Sequence, residues 1–158
     1  MDTSSTGKDR FGSNVMHNSY FVTLAIHGRR QLLADKGVLA SSEMRLTLIG
    51  NAVATIWQTL PQHFPRMATE AFYLMPDGIC GIVTVDTAPG GDTATLRLLN
   101  HAISYFKSET TRVFNSGSTQ DYRSRLWQTA FQCEAVATSA ELIALQQQLT
   151  AQSAYRMW

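Results

Sequence analysis

Ala71-Phe72-Tyr73-Leu74-Met75-Pro76-Asp77-Gly78-Ile79-Cys80-Gly81-Ile82-Val83-Thr84-Val85 is the stretch whose reading decides the fold. It reads as two apolar strands joined by a tight turn. Pro76 pre-sets its own φ, the Asp77 side chain can bond nearby backbone, and Gly78 accepts positive φ. Pro-Asp-Gly between apolar runs is therefore a turn with a mechanism.

The segments on either side follow the same logic. Asn18 to Ile26 alternates, with Tyr20, Val22, Leu24 and Ile26 on one face and Thr23 and Ala25 on the other, which predicts a strand. His27-Gly28-Arg29-Arg30 ends it, and Asp35-Lys36-Gly37 predicts a second turn. Thr47 can cap a helix to about Leu60, with Ile49, Val53, Ile56, Trp57 and Leu60 at helical spacing and Pro61 and Pro65 closing it. After the hairpin, residues 86–93 have loop composition. Leu96, Leu99, Ile103, Phe106, Thr110 and Val113 then recur at three and four, which predicts one buried face of a long helix stopped by Asn115-Ser116-Gly117.

Leu126 to Cys133 reads as a fourth strand, with Trp127 and Phe131 on one face. Thr138-Ser139-Ala140-Glu141 is a capping box, and the helix it opens carries Leu142, Leu145 and Leu149 on one stripe. The order β-α-β-β-α-β-α predicts an α+β fold. Its core is a ferredoxin-like antiparallel sheet of about four main strands, with helices on one face plus a C-terminal helix.

Composition bounds the function. With 158 residues, 44% of them hydrophobic and 16% charged, the chain is expected to form one domain. We place it at 18–158, after a flexible arm at 1–17. The net charge of +1 means that any nucleic-acid function rests on a local patch, since dedicated duplex binders are usually far more basic. The two cysteines, Cys80 and Cys133, make neither a disulfide framework nor a zinc motif. The four histidines, His17, His27, His63 and His101, form no i, i+2 or i, i+4 pair. Gly90-Gly91 lacks the lysine and spacing of a phosphate-binding loop. No signal-peptide pattern and no bilayer-spanning apolar run is visible, so the expected location is the cytoplasm.

The chain resembles the single-strand DNA transposases that use one tyrosine and a His-hydrophobic-His motif, especially their REP-associated branch. The likeness runs from about residue 18 to 158. It is carried by Tyr20-Phe21-Val22-Thr23 with His27-Gly28-Arg29-Arg30, by Met44-Arg45-Leu46, by Phe106-Lys107-Ser108 and by Leu126-Trp127-Gln128, set around the Met75-Pro76 hairpin. In that family a strand ends in Met-Pro-Asn and the next begins His-hydrophobic-His-Gly. Two histidines hold a divalent metal, magnesium or manganese, that polarises the scissile phosphate, and a tyrosine on the last helix attacks phosphorus.

Set against that pattern, the two histidine slots of this chain hold Gly78 and Cys80. The best register of the last helix places Gln148 where the tyrosine stands. Glycine ligates nothing, a thiolate suits magnesium or manganese poorly, and an amide is no nucleophile at neutral pH. Gln152 alone would not hold a metal, so no cofactor is expected. Tyr155, about two turns beyond Gln148, is a displaced substitute that would still lack its metal. Tyr105 and Tyr122 are nucleophiles in principle, but core or loop tyrosines are the commoner explanation.

The resemblance implies a homodimer that grips a DNA hairpin or single strand. Candidate phosphate contacts are His27, Arg29 and Arg30 after the first strand, Lys107 and Arg112 on the long helix, and Arg123 and Arg125 before the fourth strand. The leading expectation is a transposase-like DNA-binding protein that has lost strand cleavage and joining, a pseudoenzyme. One alternative is an interaction or structural module on the same fold. Another is an active transposase using displaced residues.

Overall fold

The computed structural model describes residues 8–9, 12–13, 17–36, 44–86, 92–116 and 125–152. Strand β1 (His17–Ala25) is followed by a short helical turn at His27–Arg29. The small strands β2 (Ala34–Lys36) and β3 (Met44–Leu46) lead into helix α1 (Leu48–His63). Then come β4 (Met67–Met75), β5 (Gly78–Asp86), α2 (Asp92–Ser116), β6 (Gln132–Ala135) and α3 (Ser139–Gln152). Near the start of the chain, Lys8 and Asp9 pair with Ser13 and Gly12.

The main sheet has the order β4-β5-β1-β6 with every neighbour antiparallel. That is the ferredoxin-like arrangement the sequence predicts. Strand β1 is central because β5 and β6 pair along its two edges, and its alternation buries Tyr20, Val22, Leu24 and Ile26 on one face. They meet Ile79, Val83 and Val85 of β5 beneath α1 and α2. The Trp57 ring packs edge-on against Phe106 (5.4 Å between centroids), and Phe106 in turn packs on Trp127 (5.5 Å). The opposite face of β5 presents Cys80 and Ile82, and α3 covers them with Leu149, flanked by Leu142 and Leu145. So α1 and α2 share one face and α3 lies on the other.

Both predicted helix caps form. Thr47 Oγ1 accepts from the Gly50 N–H (3.0 Å). Thr138 Oγ1 accepts from the Glu141 N–H (3.1 Å), while the Glu141 carboxylate accepts from the Ala137 N–H (3.0 Å).

Six local expectations are corrected. Helix α1 runs through Pro61 to His63. A proline in the last turn removes one bond only, and the Phe64 N–H still closes onto the Leu60 carbonyl (2.9 Å). Asp35 and Lys36 lie in β2, paired with Arg45 and Met44, and form no turn; Gly37 lies outside the described residues. Leu126 to Cys133 is not one strand. Trp127 makes a single bridge to Ile26, and the ladder resumes at Gln132. Asp86 belongs to β5 and Asp92 to α2, so the predicted loop is shorter than 86–93. Leu96 is 46% exposed, and Thr95 takes the buried place beside Leu99. Gly78 does not have positive φ; among the described glycines Gly28 does (72°).

The glycine requirements fall elsewhere. A Cβ on Gly50 would overlap the Leu33 carbonyl, which lies over the first turn of α1. Gly28 has open space, with Arg30 Cγ at 3.9 Å as the nearest atom. Gly50→Ala is therefore expected to cost about 3 kcal/mol or to prevent folding, because backbone must move. Gly28→Ala should cost about 1–2 kcal/mol from its left-handed conformation alone. Urea unfolding of both variants checks the order, and equal costs would contradict it.

Candidate nucleic-acid interface

The two-residue connection of the hairpin is held from outside. The Ile26 N–H donates to the Asp77 carbonyl (2.8 Å) and the Leu33 N–H to the Pro76 carbonyl (3.0 Å). Arg29 Nε lies 3.0 Å from Asp77 Oδ2. Gly28 and Arg29 both adopt left-handed backbone, at φ 72° and 56°. The Arg29 side chain is thereby returned over the hairpin turn. Asp77 is thus the ion-pair partner of a candidate DNA contact, a pairing with no sequence signal because nearly fifty positions separate the two.

The segment after α2 joins this end of the sheet. The His27 N–H donates to the Leu126 carbonyl (2.8 Å), and the Gln128 N–H to the Ala25 carbonyl (2.9 Å). Arg30 Nε donates to the His27 carbonyl (2.9 Å), and its terminal nitrogen donates to the Arg125 carbonyl. The Arg30 guanidinium also sits 5.9 Å from the Phe114 ring centroid. Lys107 Nζ donates to the carbonyls of Gln128 and Thr129, each at 2.9 Å, and lies 5.7 Å from the Phe131 ring centroid. Burial lowers its pKa below that of an ordinary lysine. Arg125 Nη1 donates to Thr129 Oγ1 (3.2 Å).

Five of the seven candidate phosphate contacts therefore converge: His27, Arg29, Arg30, Lys107 and Arg125 surround one end of β1. His27, Arg29 and Arg125 are exposed there. Arg112 stands apart, paired with Glu109 (2.9 Å). Arg123 lies outside the described residues. Trp127 is buried and donates to Thr110 Oγ1 (2.7 Å), so its ring is core and unavailable for stacking on a base.

The slots assigned to metal ligands lie on the α3 face. A Cβ on Gly78 would sit 2.5 Å from the Leu24 carbonyl oxygen, so the backbone leaves no room there for a side chain. Cys80 is buried with Ile82 against Leu149. Desolvation pushes its thiol pKa up to about 11 from the usual 9.0, the reverse of what a metal-binding thiolate needs. These residues do not fit magnesium or manganese. Among the described residues no group of three His, Cys, Asp or Glu side chains could hold a metal ion. Gln148 is exposed on α3, next to the buried Leu149. Tyr155 and Tyr122 lie outside the described residues, as does the side chain of Gln152.

One constellation is absent from the sequence reading. Tyr105 Oη lies 2.9 Å from His63 Nε2, and the two rings are 4.6 Å apart. They belong to different helices, and neither spacing nor motif announces the pair.

No model of a known protein family matches the chain. A stretch of 66 residues is 29% identical to an uncharacterised protein of Haemophilus influenzae, covering 42% of this chain and 35% of that protein. The match thus spans about a third of that curated relative's length. Two solved structures share the fold, each at 14% identity and a TM-score of 0.53. One is a provisionally assigned transposase from Deinococcus radiodurans R1, with 92% of this chain and 98% of that one covered. The other is a REP-associated tyrosine transposase bound to a REP hairpin, with 89% and 69% covered. The resemblance stated from the sequence is therefore met in three dimensions as a shared fold.

Histidines placed at positions 78 and 80 should not create a metal site. Gly78→His is expected to cost about 1–3 kcal/mol or more through overpacking against Leu24. Millimolar manganese should leave the melting temperature of the Gly78→His/Cys80→His variant unchanged, whereas a rise on adding metal would show that a site had formed. Cys80 sets a separate expectation. Its folded pKa exceeds its unfolded one, so the unfolded chain loses the proton first as pH rises. The stability gained from burying the neutral thiol is complete below about pH 9 and is lost between about pH 9 and pH 11. Cys80→Ala should lose that part of the alkaline decline in urea titrations, and an identical decline in both proteins would refute the assignment.

Proposed function

We propose that the chain is a transposase-like DNA-binding protein that holds a DNA hairpin or single strand by its phosphates, without cutting or joining it. The observation that carries this reading is the convergence of His27, Arg29, Arg30 and Arg125 at one end of β1. These residues come from two distant parts of the chain, yet backbone hydrogen bonds fix them together. The solved REP-associated transposase with the same fold is bound to a hairpin, which supports nucleic acid as the ligand class. Loss of cleavage is supported by the packing around Gly78 and Cys80, which suits a sheet interior better than a metal site. We further propose that a homodimer acts in the cytoplasm, as one domain over 18–158. No helix among the described residues is long and apolar enough to cross a membrane.

A second reading has its own observation. Arg29 and Arg112 are already paired with carboxylates, and the net charge is only +1. An interaction module without a nucleic-acid ligand would look the same at those two positions. Arg125 and His27, which point into no ion pair among the described residues, favour the DNA reading.

Binding of a fluorescein-labelled DNA hairpin across salt tests the proposal. Three phosphate contacts predict a fall in affinity of roughly 20-fold to 40-fold between about 50 and about 200 mM salt. Arg125→Ala, at a cation in no ion pair among the described residues, should weaken binding and flatten the salt slope by about one contact. Absence of binding to any hairpin at low salt would sink this reading and leave the interaction module. A covalent protein–DNA adduct formed with manganese would overturn the loss of cleavage.

A further inference from the structure

We infer that the Tyr105–His63 pair on the helical layer is a second DNA contact, a stacking step for an unpaired base of a single-stranded segment. It rests on the reading of the chain as a DNA-binding protein. It adds to that reading a base contact away from the phosphate-binding end.

His63 is the last residue of α1 and is exposed; Tyr105, midway along α2, is half-buried. The hydrogen bond of 2.9 Å fixes both rings, with centroids 4.6 Å apart and planes 40° apart. Phe64 packs edge-on behind Tyr105 at 5.7 Å, so the tyrosine ring is backed by a third aromatic. The helices do not need this pair to cohere. Trp57 against Phe106, with buried Val53, Leu60, Leu99 and Ile103, already joins them. Rings held rigid at the surface lose little freedom when a base stacks on them, which is what a stacking platform requires.

The surrounding charge suits a polyanion. Helix α1 contains no acidic residue. From Thr93 to Ser116 the sole carboxylate is Glu109, and Arg112 neutralises it. Arg97 and His101 are exposed eight and four positions before Tyr105 and so share its face of α2. A strand whose base rests on Tyr105 and His63 would place its flanking phosphates along Arg97 and His101. The phosphate-binding end at His27–Arg30 and Arg125 meets α2 instead through Lys107 and Phe114. The two contacts are therefore separable by substitution.

The test uses the full chain and two labelled probes, a blunt DNA hairpin and the same hairpin with a single-stranded thymidine extension of about ten nucleotides. The wild type is expected to bind the extended probe more tightly. Tyr105→Ala and His63→Ala should each remove about 5-fold or more of that gain while leaving the blunt-hairpin affinity unchanged. Tyr105→Phe, which keeps the ring and its packing on Phe64 but loses the bond to His63, should fall between the wild type and Tyr105→Ala. A bromodeoxyuridine in the extension should crosslink to Tyr105 or His63 in the unaltered protein, which serves as the readout should an alanine variant fail to fold. No gain from the extension, a gain unaffected by Tyr105→Ala, or crosslinks confined to other residues would overturn the inference while the hairpin reading stood. Binding of neither probe would overturn both.

Discussion

Leu33 is the residue on which the architecture turns. Its side chain is fully buried, and its two backbone groups face different elements. The N–H donates to the Pro76 carbonyl (3.0 Å), and the carbonyl accepts from the Thr47 N–H (3.0 Å). Thr47 also donates its hydroxyl to the Leu32 carbonyl (2.6 Å) while capping α1. One extended segment therefore ties the hairpin turn to the start of α1. The approach is so close that only glycine fits at position 50. The turn cannot move without the helix, and the Arg29–Asp77 pair is carried by the same junction.

That constraint changes the meaning of Gly78. In the sequence it looks like a histidine slot that lost its side chain. In the fold the Leu24 carbonyl oxygen stands 2.5 Å from where a Cβ would be, because Ala25 pairs directly with Gly78 and the chain then turns to bond Asp77. The sheet has closed over the position. Cys80, two residues on, points into the layer under α3 and contacts Leu149, the neighbour of Gln148. Cys80 and the part of α3 around Leu149 thus share one face of the sheet. What meets there is an apolar contact, since burying Cys80, Ile82 and Leu149 together excludes the water and polar ligands that a divalent ion requires.

The fold was legible wherever one period governed a segment. Tyr20, Val22, Leu24 and Ile26 announce a strand because each second residue is apolar, and Leu142, Leu145 and Leu149 announce the apolar stripe of α3. Periodicity misleads where tertiary contacts replace it. Leu126 and Trp127 are apolar because they fill the core, not because they extend a strand: the Trp127 indole is fixed by Thr110, and its backbone bridges only Ile26, just past the end of β1. Asp35 and Lys36 look like turn residues, yet pairing with Met44 and Arg45 makes them strand. Pro-Asp-Gly suggests a glycine chosen for positive φ, but crowding by Leu24 is what demands Gly78. At the candidate site, the cationic residues could be seen in the sequence. Their convergence could not, because it depends on the docking of residues 125–129 against 25–30.

That docking also bears on whether cations already engaged in the structure can still hold phosphate. Arg30 uses two of its five N–H donors on the His27 and Arg125 carbonyls, and Lys107 two of its three on Gln128 and Thr129. Carbonyls carry no net charge, so these contacts orient the cation without cancelling it. Arg29 differs, because Asp77 at 3.0 Å offsets its charge, and a phosphate would have to compete for the same guanidinium. The field at this end therefore comes mainly from the cations held by backbone, with Arg125 exposed beside them. Long cationic side chains usually lose rotamer freedom on binding, at about 0.5–1.5 kcal/mol each. Arg30 and Lys107 have lost it on folding. A near-neutral chain can then present a small, stiff cluster of charge where a uniformly basic protein would rely on its overall field.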